Sequence, residues 1–249
     1  MKTKNSYEQK LMRDSGLITA KALKAALKAI KPGVTGLEVD RIVEKEIYKN
    51  GGDLSYKTVP GYKYATCITV NEGVVHGIPT DRKFVDGDLV SVDLAVMYKG
   101  WHTDCAWSIL IGKCPEKVKF LQTGEKTLWA GISKAVAGNR IGDISSAIQE
   151  TVEEAGCSVV RSLAGHGVGR SLHEAPEIPG FGLKGQGAIL ESGMTLAIEV
   201  IFTAGSSEIA IGSDGWTYYT VDRSLGGLFE MTVLVGKGKA EVLTDWRKA

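Results

Sequence analysis

Two segments of the chain share one pattern of apolar and polar positions, 105 residues apart. In each segment a glycine precedes apolar residues at positions i, i+4 and i+8, and a second glycine follows them. The matched pairs are Gly33 and Gly138, Val39 and Ile144, Val43 and Ile148, Ile47 and Val152, and Gly51 and Gly156. This spacing predicts an amphipathic helix that ends at a glycine in both places. In the first segment Thr35 and Glu38 have the spacing of a capping box, which predicts the start of that helix.

A longer helix is predicted before each of these two. The first covers about residues 6–30 and the second about residues 116–137, with Pro115 in the position that favours the first turn of a helix. Both halves of the chain therefore begin with a helix, a turn and a second helix.

The repeat continues into sequence that is typical of strands, with one additional residue. Residues 87–93 and 193–199 both begin with glycine and end with a carboxylate after a largely apolar run. Asp93 and Glu199 are therefore equivalent at a shift of 106 positions. The pattern predicts that the two carboxylates are related by an approximate twofold axis.

A second pair of carboxylates, Asp104 and Glu230, is separated by 126 positions. An insertion of about 20 residues in the second half would explain the difference. Residues 205–227 contain two short runs of strand-forming residues around a Ser-Asp-Gly turn, which predicts an extra hairpin.

The runs 89–97 and 101–111 flank a Lys-Gly dipeptide and predict a hairpin with a tight turn. This hairpin places Asp104 opposite either Asp93 or Ala95, depending on the register. Both alternatives put the two carboxylates on the same face of the sheet. Facing strands bring opposed side chains to within about 5.5 Å, a separation that one metal ion can bridge.

Composition and charge narrow the class of protein. The chain has 249 residues, of which 43% are hydrophobic and 24% charged, so it can bury a sizeable core. Thirty Lys and Arg nearly balance 29 Asp and Glu, which gives no overall electrostatic case for nucleic acid or a membrane as partner. No signal peptide or apolar stretch of about 20 residues is apparent, so we expect a cytoplasmic protein, taken as a monomer. The four cysteines form no CxxC pair, which argues against a disulfide framework or a zinc knuckle.

Candidate chemistry comes from four carboxylates and one imidazole in segments that read as strands or strand edges. These residues are Asp93, Asp104, His166, Glu199 and Glu230. Buried carboxylates a few ångströms apart stay ionised only if cations neutralise them, so the set predicts a binuclear site for divalent metal ions. The alternative for any one acid is a solvated position on an exposed sheet face. The sequence around Asp93 argues against a solvated position there, because its neighbours on both sides along the strand are apolar, which indicates a buried strand.

The histidines lie mostly in glycine-rich loops. His166 and His173 frame the loop of residues 165–176, and His76 stands at a strand end before Gly and Pro. The glycine spacing of the loop is not that of a phosphate-binding loop. A satisfied buried imidazole is the ordinary alternative for a lone histidine, but three of them beside a carboxylate cluster favour a site. His102 is predicted to lie on the surface, near the hairpin turn.

Five motifs, in order, resemble a known family. The strings NEGVVHGIP, D-x10-D, GHGVGRSLHEAP, AIEVIF and FEMTVLV are similar to those of the type I methionine aminopeptidases, and the resemblance runs from about residue 7 to 245. It implies the α+β pita-bread fold, with two pseudosymmetric halves and a curved antiparallel sheet backed by helices. It also implies one catalytic domain over residues 1–249, with pseudo-repeats over about 6–112 and 113–240.

The resemblance also implies residue roles. Asp104 and Glu230 would bridge two divalent ions, Asp93 would chelate one, and His166 with Glu199 would complete the other. The ions would be Co, Mn, Fe or Zn, between which the ligand types do not decide. Catalytic roles fall to His76, His173 and Glu199. Side chains that would bind substrate are His76, His173, Tyr62, Cys67, Leu172 and Trp216. Residues 61–64 and Leu172 depart from the usual family sequence in the part that forms the side-chain pocket.

The implied activity is removal of the initiator methionine from nascent proteins whose next residue is small. A water bridging the two ions would attack the scissile carbonyl. The substrates are N-terminal methionyl peptides of nascent chains, and the ribosome stays open as a further partner. Two other classes of protein share this fold. Xaa-Pro peptidases and creatinase-like proteins usually carry a large additional N-terminal domain, and a binding protein on the same fold would be expected to lack one or more of the five ligands.

Overall fold

The computed structural model describes residues 2–249. Within them it contains four α-helices, which are α1 Ser6–Ala29, α2 Gly36–Lys49, α3 Pro115–Lys134 and α4 Ile141–Glu154. All four lie where the apolar periodicity predicted them. None of the helices in this part of the chain combines the length and the apolar character that a membrane span requires.

Local sequence explains where the helices begin and end. The Thr35 hydroxyl accepts a hydrogen bond from the Glu38 backbone N–H at 3.2 Å, and the Glu38 carboxylate accepts one from the Thr35 N–H at 2.8 Å. This confirms the predicted capping box at the start of α2. Pro115 is the first residue of α3. Gly51 and Gly156 follow the last turns of α2 and α4 with φ of +79° and +76°, a conformation that glycine adopts without a steric penalty.

The strands alternate with these helix pairs along the chain. In order they are β1 Asp53–Leu54, β2 Thr66–Val70, β3 Gly73–Val75, β4 Leu89–Tyr98, β5 Trp101–Leu110, β6 Ser158–Val159, β7 Ala164–Gly167, β8 Glu174–Pro179, β9 Thr195–Thr203, β10 Ile209–Ile211, β11 Tyr218–Thr220, β12 Gly226–Leu234 and β13 Glu241–Val242. A short 3-10 helix, Ser55–Thr58, follows β1.

One antiparallel sheet of ten strands holds the two halves together. Its main path runs β1-β4-β5-β12-β9-β7-β8, while β2 pairs with β4, β6 with β9 and β13 with β12. The strands β4 and β5 of the first half meet β12 and β9 of the second half at the centre. Helix α1 packs on β4 and β5, and α3 packs on β9 and β12. The main core lies between these helices and the sheet and contains the stacked rings of Phe120 and Phe202.

The β4–β5 hairpin settles the register that the sequence left open. Lys99 and Gly100 form its turn with positive φ values of 51° and 75°. The pairing places Asp104 opposite Ala95, and Asp93 opposite Ala106. Because residues two apart on a strand point to the same side, Asp93 and Asp104 share one face.

The predicted extra hairpin is present as β10 and β11. Its second strand also pairs with β3 of the first half, so that the hairpin forms a separate three-stranded sheet. The sequence predicted the hairpin but gave no indication of this pairing. One consequence is that Thr217, just before β11, accepts a hydrogen bond from the Ile78 backbone N–H at 3.3 Å.

Candidate metal centre

Strand register brings the five predicted ligand residues to one face of the central sheet. Asp93 lies opposite Ala106, Ala106 lies opposite Glu230, and Glu230 lies opposite Glu199. These positions form a row across β4, β5, β12 and β9. Asp104 is two residues from Ala106, and His166 pairs with Ala197, two residues from Glu199. All five side chains therefore line one cavity of about 140 Å³.

Distances within the cluster are those of groups that face a common centre. The His166 Nε2 atom lies 3.5 Å from Glu199 Oε1 and 4.0 Å from Asp104 Oδ2. One side-chain atom from each of Asp104, His166 and Glu230 lies within 4.8 Å of the other two. The buried Oε1 atom of Glu230 has no hydrogen-bond partner among the described residues. An unsatisfied buried carboxylate oxygen aimed into a cluster of acids fits a cation ligand.

Burial and mutual repulsion dominate the electrostatics of the carboxylates. Burial, opposed in part by hydrogen bonds from Tyr56 and Asp104, raises the pKa of Asp93 to about 7. Burial, followed by the negative charge of neighbouring acids, raises the pKa of Asp104, Glu199 and Glu230 well above the usual range. Without cations the cluster would therefore hold protons near neutral pH. Divalent ions would reverse these shifts by favouring the charged forms.

His166 is oriented as a metal ligand would be. Its Nδ1 atom lies 2.8 Å from the carbonyl oxygen of Gly167, so a proton on Nδ1 is donated to that carbonyl. The Nε2 lone pair is then directed toward Asp104 and Glu199. Burial lowers the pKa of His166 to about 4, which keeps the imidazole neutral.

The other two candidate histidines lie on the walls of the cavity and are exposed there. The His173 ring centroid is 4.5 Å from that of His166. The His76 ring is 5.8 Å from the ring of Tyr218, and its backbone has a φ of +57°. Partial burial lowers the pKa of both imidazoles. Both are therefore neutral near pH 7 and can donate or accept a hydrogen bond.

The prediction that His102 lies on the surface is wrong. Its side chain is buried, and its Nδ1 atom lies 2.7 Å from the Ser55 hydroxyl. The hairpin turn is limited to Lys99 and Gly100, so His102 already belongs to β5. There it points to the same face as Asp104, which the 3-10 helix beginning at Ser55 covers.

The four predicted pocket residues line the same cavity as the metal cluster. Tyr62, Cys67 and Leu172 are buried together, and Trp216 packs against them with its ring 5.0 Å from that of Tyr62. Cys67 pairs with Asp93 across β2 and β4, which places this apolar wall directly beside the carboxylates. Such a lining of aromatic, aliphatic and sulfur groups suits a flexible thioether side chain.

Sequence reasoning missed Tyr56, which lines the cavity together with Val59. The Tyr56 hydroxyl donates a hydrogen bond to Asp93 and lies 3.3 Å from Asp104 Oδ1. It stands in a single 3-10 turn, where no periodic pattern distinguishes it from an ordinary buried aromatic residue. The contact between Ser55 and His102 holds that turn against the sheet.

Comparison with known sequences agrees with the family that the motifs resemble. The model of metallopeptidase family M24 matches residues 10–237. The chain is 41% identical to a methionine aminopeptidase of Clostridium perfringens over 242 residues, which are 97% of each chain. It is 40% identical to methionine aminopeptidase 1 of Bacillus subtilis, covering 97% of this chain and 98% of that protein.

Solved structures agree with the sequence comparison. A methionine aminopeptidase of Thermotoga maritima has a TM-score of 0.96 at 41% identity, with 98% of this chain and 99% of that chain covered. A prolidase of Pyrococcus furiosus has a TM-score of 0.77 at 24% identity, with 97% of this chain and 65% of that chain covered. The prolidase thus shares the fold over part of a longer chain. These likenesses confirm the predicted pita-bread fold.

Proposed function

This chain belongs to metallopeptidase family M24, as a methionine aminopeptidase, and from that membership we propose that it removes the initiator methionine from nascent proteins whose second residue is small. The observation that carries the proposal is a single cavity that contains four carboxylates, three imidazoles and an apolar pocket. The carboxylates and imidazoles supply the groups for metal-assisted hydrolysis. The apolar pocket supplies a place for the side chain of the residue that is removed.

The donor set fits two divalent ions. The residues that would hold them are Asp93, Asp104, His166, Glu199 and Glu230. Oxygen donors with a single imidazole suit Mn, Fe, Co or Zn. When bound, such ions supply Lewis acidity and lower the pKa of water.

The side chains of the cavity would then act on the substrate. Glu199 accepts the proton of the attacking water and passes it to the peptide nitrogen, which leaves as the amino group of the shortened chain. His173 donates a hydrogen bond to the scissile carbonyl oxygen, where negative charge develops in the transition state. His76, on the other wall, contacts the peptide nitrogen at the bond that is cut. Both imidazoles can do so near pH 7 because partial burial lowers their pKa values.

The pocket would select methionine through shape and polarisability. Tyr62, Cys67, Leu172 and Trp216 surround a space next to Asp93 that has few polar groups. Nascent chains would supply the substrates, so we expect the activity in the cytoplasm. We also expect the protein to act as a monomer. Contact with the ribosome is a further expectation of that role.

Release of free methionine tests the proposal directly. The metal-stripped protein is incubated with a Met-Ala-Ser peptide before and after addition of Mn, Co, Fe or Zn, with an Ala-Pro peptide as comparison. Metal-dependent cleavage of the methionyl peptide alone is the expected result. Stoichiometric metal binding without any cleavage would move the function to another peptide specificity or to a binding role.

Replacing His173 with alanine is expected to lower kcat by about 10²-fold, because one donor to the developing oxyanion is lost. Metal content should stay unchanged, since the residue would contact substrate and not the ions. Steady-state kinetics and elemental analysis measure the two quantities. The variant His173→Gln, which keeps an N–H donor, should lose less activity. Loss of metal from His173→Ala would contradict the role given to it.

Replacing Tyr56 with phenylalanine is expected to weaken divalent metal binding by about 10-fold to 100-fold, because the hydrogen bonds that orient Asp93 and Asp104 are removed. The affinity is measured by calorimetric titration of the metal-stripped protein with Mn. Exposed Tyr7 provides the matched control, and Tyr7→Phe should bind metal like the parent protein. An unchanged affinity in Tyr56→Phe would show that this hydroxyl does not position the carboxylates.

A further inference from the structure

A larger cavity opens outward from the metal centre and is here called the outer groove. Its volume is about 700 Å³, within the range of ligand-binding cavities. Five residues line both it and the inner cavity, namely His76, Asp93, His166, His173 and Glu199. Its outer walls come from residues 161–165 and 173–181. Because the two cavities share these residues, a peptide whose first residue fills the inner pocket would extend into this groove.

Glu177 lies on the face of β8 that lines the outer groove. The β7–β8 pairing places it directly opposite His166, so the two side chains leave the sheet on the same face. Ala175 and Pro179, two residues to either side, line the groove as well. Glu177 is exposed, and within residues 2–249 it forms no ion pair. Its charge is therefore free to meet a ligand.

The other charges of the groove are already paired. The Arg161 guanidinium lies over the Phe181 ring at 4.7 Å and 3.5 Å from a carboxylate oxygen of Glu153. Glu174 is bound to the ammonium group of Lys4 at 3.2 Å. Divalent ions would compensate the carboxylates of the inner cavity. Among the described residues that line the outer groove, Glu177 then carries a charge that has no partner.

The distances suit the second residue after the cleaved bond. An extended peptide advances about 3.3 Å per residue, so that residue spans roughly 3 to 7 Å beyond the bond. Glu177 is one strand away from His166, a spacing of about 4.8 Å, and its side chain extends further into the groove. A long cationic side chain at that position can therefore reach the carboxylate.

We propose that the outer groove binds the residues that follow the cleaved bond, and that Glu177 makes it prefer lysine or arginine at the second of them. The preference rests on the aminopeptidase function proposed above. The outer groove would set this preference for lysine or arginine, whereas the inner cavity would determine which first residue is removed. Glutamate or aspartate at the same position would be disfavoured by like charge.

Competition between two peptides tests the preference. Met-Ala-Lys-Gly and Met-Ala-Glu-Gly, both amidated at the C-terminus, are mixed with the metal-loaded protein, and the ratio of their kcat/KM values is measured. We expect the lysine peptide to be favoured roughly threefold to fivefold at low ionic strength. The ratio should approach one in about 0.5 M salt, because exposed charges are screened. Glu177→Gln should remove the preference and Glu177→Lys should reverse it.

The control is Glu154→Gln, which removes one exposed carboxylate outside the groove and should leave the ratio unchanged. Equal kcat/KM values at low salt, or a lysine preference that survives in Glu177→Gln, would overturn the assignment. So would a preference for the glutamate peptide that disappears in Arg161→Gln. Equal cleavage of both peptides would leave the proposed aminopeptidase standing, whereas release of methionine from neither peptide would remove both proposals.

Discussion

Replacing Glu230 with glutamine is expected to lower kcat/KM for a methionyl peptide by roughly 10³-fold or more. The carboxylate is buried, and its Oε1 atom faces the cluster without a hydrogen-bond partner among the described residues. If Glu230 is a metal ligand as proposed, a neutral amide of the same shape would hold the divalent ions less tightly than the carboxylate. Loss of about 4 kcal/mol of transition-state stabilisation, the size of effect that Lewis acids contribute, corresponds to a factor of 10³.

The same substitution should change the metal content but leave the fold intact. Elemental analysis of Glu230→Gln should detect fewer bound metal ions per chain than in the parent protein. Its metal-free form should be at least as stable, because glutamine is neutral at every pH and replaces a buried carboxyl group that is neutral only while it holds a proton. The matched control is Glu208→Gln on the exposed hairpin, which should keep both metal and activity. Full metal content and full activity in Glu230→Gln would remove this residue from the ligand set.

The metal-free protein is expected to become less stable as the pH rises from 6.5 to 8. Burial raises the folded-state pKa of all four carboxylates, that of Asp93 to about 7, and like charge adds to the rise in the other three. Unfolded carboxylates titrate near pH 4, so in this window the folded state holds more protons than the unfolded state. The stability they contribute is therefore lost as the pH rises through their folded-state pKa values.

The histidines explain why the window begins at pH 6.5. Their pKa values are lowered in the folded protein, that of His166 to about 4. Below pH 6.5 the unfolded state binds protons at these residues, and this effect opposes that of the carboxylates. As the pH rises above 6.5 the histidines of the unfolded state lose their protons as well, and toward pH 8 the carboxylates alone set the slope.

Thermal unfolding at several pH values measures this slope. Each proton held only by the folded state changes the stability by about 1.4 kcal/mol per pH unit, or roughly 3–6 °C in Tm for a chain of this size. Saturating Mn should remove the slope, because bound ions keep the carboxylates charged in the folded state. They should also raise the Tm at pH 8 by mass action. A metal-free Tm that is constant or rises between pH 6.5 and 8 would contradict the buried, protonated cluster.

Much of the architecture was predictable because its signals are local or repeated. The helix periodicity, the capping box at Thr35 and the tight turn after β4 all depend on residues near one another in sequence. The repeat then related Asp93 to Glu199 across more than a hundred positions. A duplicated pattern thus supplied long-range information that single-segment periodicity lacks.

The remainder depended on contacts between distant segments. The register of β4 and β5 was left open because both alternatives put the carboxylates on one face, and the tight turn decided between them. His102 was misplaced because its burial comes from the segment at Ser55, which carries no sign of where it packs. Tyr56 was missed for the same reason. Its hydroxyl meets Asp93 only because the 3-10 turn packs beside the carboxylates, and the local sequence does not indicate that packing.

The pairing of β11 with β3 also affects when the site can form during synthesis. Trp216 and Glu230 lie near the C-terminal end of the chain, whereas their partners in the cavity, such as Tyr62 and Asp93, lie in its first half. Contacts of such high sequence separation close late, and a chain emerging from a ribosome presents its first half long before its last strands. An incomplete chain therefore holds neither the full ligand set nor a closed pocket. A chain of this protein can therefore hydrolyse peptides only after its own synthesis has passed Glu230.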